Sequence, residues 1–121
     1  MATVTQSELR ELVTHQDDGC VSLYLPTLVA GRNGLQDAIR LKNLVAAAYQ
    51  QLIDKGLRSV AARELFAPLL RLPNDPINWE RRRPGLAAFR SQAMSRDYWL
   101  AEPPDETVIV DRRFHVKQLL P

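Results

Sequence analysis

Between Leu35 and Lys55 the apolar residues Leu41, Leu44, Val45, Ala48 and Leu52 recur at helical spacing, and Gly56 follows where a helix can end in the left-handed conformation. Ala46 and Ala47 favour the helix, while Arg40, Asn43, Ala47 and Gln50 fall on its outer side. A long helix with one apolar stripe has to bury that stripe against a second layer. The flanking segments supply strands for it. In Cys20 to Leu25, Val21, Leu23 and Leu25 share one face by the period of two, and Pro26 ends the run by removing an amide donor. Leu86-Ala87-Ala88-Phe89, opened by Pro84-Gly85, reads as a buried strand with Ser95 to Leu100 as its hairpin partner and Gln92 to Met94 as the tip. Val108-Ile109-Val110 is a third apolar strand, set off by Pro103-Pro104. Strands on both sides of a helical block predict an α+β fold: a small mixed or antiparallel sheet of three to four strands with helices packed on one face.

The remaining segments have recognisable punctuation. Thr5 and Glu8 have capping-box spacing ahead of Leu9, Leu12 and Val13, which predicts a short helix from about Gln6 to Thr14. Asp17-Asp18-Gly19 reads as a turn, and Thr27 to Gly34 as a surface loop. A second long helix is expected from near Arg58 with Ala61, Leu65 and Leu69 inward, kinked or divided at Pro68. After Leu72-Pro73, Asp75 can cap a single turn begun by Pro76 and carrying Ile77 and Trp79. Phe114 to Pro121 alternates like the start of another extended segment. It then stops without a terminating signal, as expected of a truncated chain or of one that awaits a partner, and the expected organisation is one domain over residues 1–121.

With 121 residues, 45% of them hydrophobic, the chain can bury one continuous core. A formal charge of +2 does not by itself mark a nucleic-acid binder. A lone cysteine, Cys20, forms no internal disulfide and lacks the companions of a zinc site, which points to a reducing, cytoplasmic setting. No apolar run approaches the ~20 residues that cross a bilayer, so no membrane partner is expected.

Catalytic signals are missing from the pattern. His15 and His115 stand in no local arrangement with a nucleophile, and Gly31 and Gly34 lack the spacing of a phosphate-binding loop. Asp17, Asp18, Asp105 and Glu106 occur in turn-like contexts typical of solvated caps. The expectation is therefore no enzyme, no catalytic residue, no metal and no cofactor. Arg81-Arg82-Arg83 is the one run suited to phosphate, because guanidinium groups are bidentate donors and stay charged; Arg40 and Lys42 can add to it. A solvated arginine loop is the competing reading in a chain of 13 arginines and 3 lysines. Cys20, Trp79 and Tyr98 read as core or rim residues.

The order of three phrases carries a resemblance. Val21-Ser22-Leu23-Tyr24-Leu25-Pro26-Thr27, then Asp37-Ala38-Ile39-Arg40-Leu41-Lys42-Asn43-Leu44, then Pro84-Gly85-Leu86-Ala87-Ala88-Phe89, resembles the N-terminal domain of bacterial relatives of the archaeal and eukaryotic class-1 release factor. Asp111-Arg112-Arg113-Phe114-His115-Val116-Lys117-Gln118-Leu119-Leu120-Pro121 is similar to the junction where those proteins enter a middle domain. The family's Gly-Gly-Gln loop for peptidyl-tRNA hydrolysis is missing, since none of the five glycines follows another. Its Asn-Ile-Lys-Ser codon-reading loop is also missing; Ala38-Ile39-Arg40-Leu41 takes a comparable place without matching it.

The resemblance implies a non-catalytic, ribosome- or RNA-associated module of a release-factor-like translation protein, acting in release, rescue or hibernation. Its candidate contacts to ribosomal RNA or tRNA are Arg40, Lys42, Asn43, Arg81, Arg82 and Arg83. The other reading is a protein-interaction or regulatory α+β domain without RNA contact, which meets a protein partner or a second copy through its sheet edge.

Overall fold

The computed structural model describes residues 4–27, 34–80 and 82–120. Helix α1 (Gln6–Thr14) leads into strand β1 (Gln16–Pro26), and α2 (Gly34–Asp54) and α3 (Ser59–Arg71) follow as an αα-hairpin. A 3-10 turn (Leu72–Asn74) and the short α4 (Pro76–Glu80) precede β2 (Gly85–Arg90), β3 (Ser95–Leu100), β4 (Thr107–Arg113) and a last 3-10 turn (Lys117–Leu119). The sheet is antiparallel throughout, in the order β3-β2-β1-β4. This is the α+β architecture expected from the pattern.

Strand parity divides the core in two. Val21, Leu23 and Leu25 of β1, Leu86 and Ala88 of β2 and Val110 of β4 face α2 and α3, where Leu41, Val45, Ala48, Leu52, Ala62, Phe66 and Leu69 meet them. Cys20, Tyr24, Ala87, Phe89 and Tyr98 point to the opposite face, which α1 covers with Leu12 and the C-terminal segment covers with Phe114. The two long helices thus pack on one face, and the short α1 lies over the other.

Local chemistry sets the boundaries. The Thr5 hydroxyl accepts the Glu8 amide at 3.1 Å and donates to the Glu8 carboxylate, also at 3.1 Å, so α1 begins where the capping spacing placed it. At the end of α2 the Leu57 amide reaches Leu52 O and the Gly56 amide reaches Ile53 O. This Schellman closure needs a left-handed residue, and Gly56 provides it at φ +99°. Asp75 caps α4 through the Asn78 amide, with Pro76 at the first helical position.

Four expectations need correction. The inward face of α3 is Ala62, Phe66 and Leu69, while Ala61 and Leu65 are only half-buried, because the large Phe66 ring takes the central place under α2. Pro68 lies inside α3, which runs unbroken from Ser59 to Arg71, so of the two outcomes expected there the division does not occur. Asp17-Asp18-Gly19 belongs to β1, whose pairing with β4 shifts register between Gln16 and Cys20. Phe114 to Leu120 contains a 3-10 turn rather than a further strand, since Phe114 turns in to pack on Phe89 at 5.6 Å between ring centroids. Most of the loop expected at Thr27 to Gly34 lies outside the described residues.

Candidate functional site

The N-terminal turn of α2 carries Asp37, an acid with no exposed surface in a half-buried helix. A buried carboxylate requires cationic partners. Arg82 supplies the first: its Nε donates to Asp37 Oδ2 at 2.8 Å, and its side chain is 1% exposed. The same guanidinium donates through Nη1 to Trp79 O at 2.8 Å and lies 5.1 Å from the Trp79 ring centroid. Trp79 in turn donates its indole N–H to Gly34 O at 2.9 Å, which ties α4 to the start of α2. Arg82 Nη2 is buried with no hydrogen-bond partner among the described residues.

Arg40, one turn along α2, extends the array outward. Its Nη1 lies 3.3 Å from Asp37 Oδ1, while Nε and Nη2 donate to Glu106 Oε1 at 3.0 and 2.8 Å. The order Arg82, Asp37, Arg40, Glu106 is a ladder of alternating charge from the interior to the surface. It fixes α2 against the approach to β2 on one side and the approach to β4 on the other.

The six candidate RNA contacts therefore separate. Arg40 and Arg82 converge on one carboxylate, and the Arg82 guanidinium is turned away from solvent. Lys42 and Asn43 are exposed on α2, and Arg83, next to Arg82 in sequence, is exposed while its carbonyl accepts from the Thr27 hydroxyl. Arg81 lies outside the described residues. A second internal pair, Arg90 with Asp97, was not singled out by the sequence reading. Arg90 is 2% exposed, holds Asp97 bidentately at 2.6 and 2.9 Å, and donates through Nε to Leu65 O of α3. The predicted hairpin carried the signal for it, because pairing Arg90 with Ser95 puts Asp97 two residues along on the same face.

The histidines are held in local contacts. His15 Nε2 lies 2.9 Å from Ser91 Oγ and its ring stacks on Phe114 at 5.4 Å, which fastens the α1–β1 junction to the hairpin tip. Ser91 Oγ also accepts the Ala93 amide within that tip. His115 lies 3.0 Å from Asp111, whose carboxyl is held below its ordinary value mainly by that contact. On the α1 side, the Tyr98 hydroxyl donates to Glu8 at 2.6 Å and lowers the Glu8 carboxyl, while burial pushes the Tyr98 phenol well above the ordinary tyrosine range. Burial likewise raises the Cys20 thiol. Among the described residues no three His, Cys, Asp or Glu side chains gather as a metal cage.

An apolar opening lies elsewhere, between α2 and α3. It encloses about 450 Å³ and is lined by Lys42, Val45, Ala46, Tyr49, Arg63, Phe66, Ala67 and Leu70. No helix among the described residues is long and apolar enough to cross a membrane. The chain matches no protein-family model, and no curated protein matches it.

Proposed function

We propose that this chain is a non-catalytic, ribosome-associated module of a release-factor-like translation protein. The observation that carries this reading is the meeting of the three phrases behind the family resemblance. Val21 to Pro26 and Gly85 to Phe89 are neighbouring central strands, with Pro26 opposite Gly85 and Leu25 opposite Leu86. The helical phrase lies on α2, with Leu41 packed on those same strands. The ion-pair ladder then holds α2 at a fixed angle to the segment that enters β2. A fixed α2 presents Lys42 and Asn43 to solvent, and Arg83 is exposed as well.

In this reading Arg40 and Arg82 set the position of α2, and Lys42 and Arg83 supply charge to ribosomal phosphate. The chemistry is electrostatic positioning rather than bond making, since phosphate contacts orient a protein on nucleic acid without reading its sequence. The test is pelleting with purified bacterial ribosomes at low salt, comparing the wild-type chain with a Lys42→Glu, Arg83→Glu double variant. Reduced pelleting of a variant that retains wild-type thermal stability is the expected result. Equal pelleting of the two proteins would remove these side chains from the contact.

A further inference from the structure

The opening between α2 and α3 is lined mostly by apolar side chains. Its floor is Val45 and Phe66, which also belong to the main core. Ala46 on α2 and Ala67 on α3 form the lips, and Tyr49 and Leu70 close the two ends. Small residues on both lips leave a shallow valley between two helix cylinders, the shape that receives a third helix by ridge-into-groove packing. Leu70 stays 40% exposed although it borders this valley.

Charge identifies what the valley fits. Lys42 and Arg63 are its only charged lining residues, and both are cations. The ion pairs of the described residues engage Arg40, Arg82, Arg90, Arg96, Arg112 and His115, and none engages Lys42 or Arg63. Because α2 and α3 form an αα-hairpin, the two cations stand on opposite lips. Lys42 precedes Tyr49 by two helical turns, about 10 Å of rise, and Arg63 precedes Leu70 by the same interval on the returning helix. Each lip thus bears one cation, and the two lie toward opposite ends of an apolar trough.

We infer that the α2–α3 valley is a docking site for an amphipathic helix of a protein partner whose apolar stripe is flanked by acidic residues. The stripe enters the trough over Val45 and Phe66, and carboxylates spaced about two turns apart meet Lys42 and Arg63. Small lips admit the helix backbone closely, and the cations set its direction. The valley shares Lys42 with the contacts proposed for the ribosome, but its test uses no ribosomes and reads Arg63 and Ala67, so either reading can fail without the other.

The probe is a synthetic helical peptide of about four turns, with leucines along one stripe and glutamates flanking it, titrated into the isotope-labelled chain. Expected are saturable amide shifts centred on Ala46, Tyr49, Ala67 and Leu70. Arg63→Glu should weaken binding by about tenfold, as loss of an attraction and gain of a repulsion at a rim position. Ala67→Glu should abolish the shifts while leaving thermal unfolding unchanged. A matched peptide with lysines in place of the glutamates should bind at least tenfold more weakly to the wild-type chain and recover toward Arg63→Glu. Equal binding of the two peptides, shifts centred elsewhere, or no binding of the acidic peptide would overturn the proposal. So would a concentration-dependent dimer broken by Ala67→Glu in sedimentation equilibrium, because a second copy would then be the occupant.

Discussion

Replacing Arg82 by alanine tests whether that arginine belongs to the interior or to a solvated loop. Arg82 and Asp37 are both buried, with a 2.8 Å contact between them. Removing one partner of such a pair costs about 3–5 kcal/mol, because the remaining charge loses its compensation. Here Arg40 still lies 3.3 Å from Asp37, which favours the lower half of that range. A domain of this size has total stability on the order of 5–15 kcal/mol. The loss is therefore a large share of the whole, and with a urea slope of roughly 2 kcal/mol per molar the midpoint should fall by more than about 1 M. Arg83→Ala, on an exposed side chain, should stay within about 0.5 kcal/mol of wild type. Converting the pair together, Arg82→Met with Asp37→Leu, should recover most of the loss, since apolar replacement of a buried ion pair is often neutral. If Arg82→Ala and Arg83→Ala shift the urea midpoint equally, the interior role of Arg82 is wrong.

The Tyr98–Glu8 contact predicts a pH dependence. The Glu8 carboxyl is depressed from its ordinary value of 4.5, so its contribution is present above that value and is lost as pH falls through the folded-state value. Tyr98→Phe should therefore lower the urea midpoint at pH 7, and the gap from wild type should narrow toward pH 3; a constant gap would contradict the linkage. The Cys20 thiol, with no exposed surface and a raised pKa, should react with a thiol reagent only as fast as the domain unfolds. Labelling at the rate of a free thiol in native buffer would disprove that burial. Gly56→Ala places a side chain at φ +99° and should cost about 1–2 kcal/mol in urea unfolding even though no atom lies within 4 Å of the added carbon. An unchanged midpoint would refute the Schellman closure of α2.

Legibility in the sequence followed the range of the interaction. The apolar stripe of α2, the Thr5 cap, Gly56 and the β2–β3 hairpin are written within a few residues, and each was found where local pattern placed it. The phase of α3 was less legible. Ala61, Leu65 and Leu69 match a helical stripe as well as Ala62, Phe66 and Leu69 do, and the choice depends on α2, which sits beside it only after folding. Strand order was also silent, because β1 is separated from β2 by the helical hairpin and from β4 by the rest of the chain.

The candidate site was harder still. Asp37 and Arg82 are 45 residues apart, and nothing in Arg81-Arg82-Arg83 marks Arg82 as one that turns inward. The run of three arginines suggested a phosphate contact, whereas tertiary packing puts Arg82 against a buried acid and leaves Arg83 outside. The α2–α3 valley was likewise invisible in the sequence, because Ala46 and Ala67 read only as good helix formers until α2 and α3 are set side by side.

The most direct test of the ribosome-associated reading is co-sedimentation of the chain with purified bacterial ribosomes across a salt series. Phosphate contact predicts pelleting at low salt that declines as salt rises, with a shallower decline after Lys42→Glu and Arg83→Glu. Free protein at every salt concentration would contradict the account.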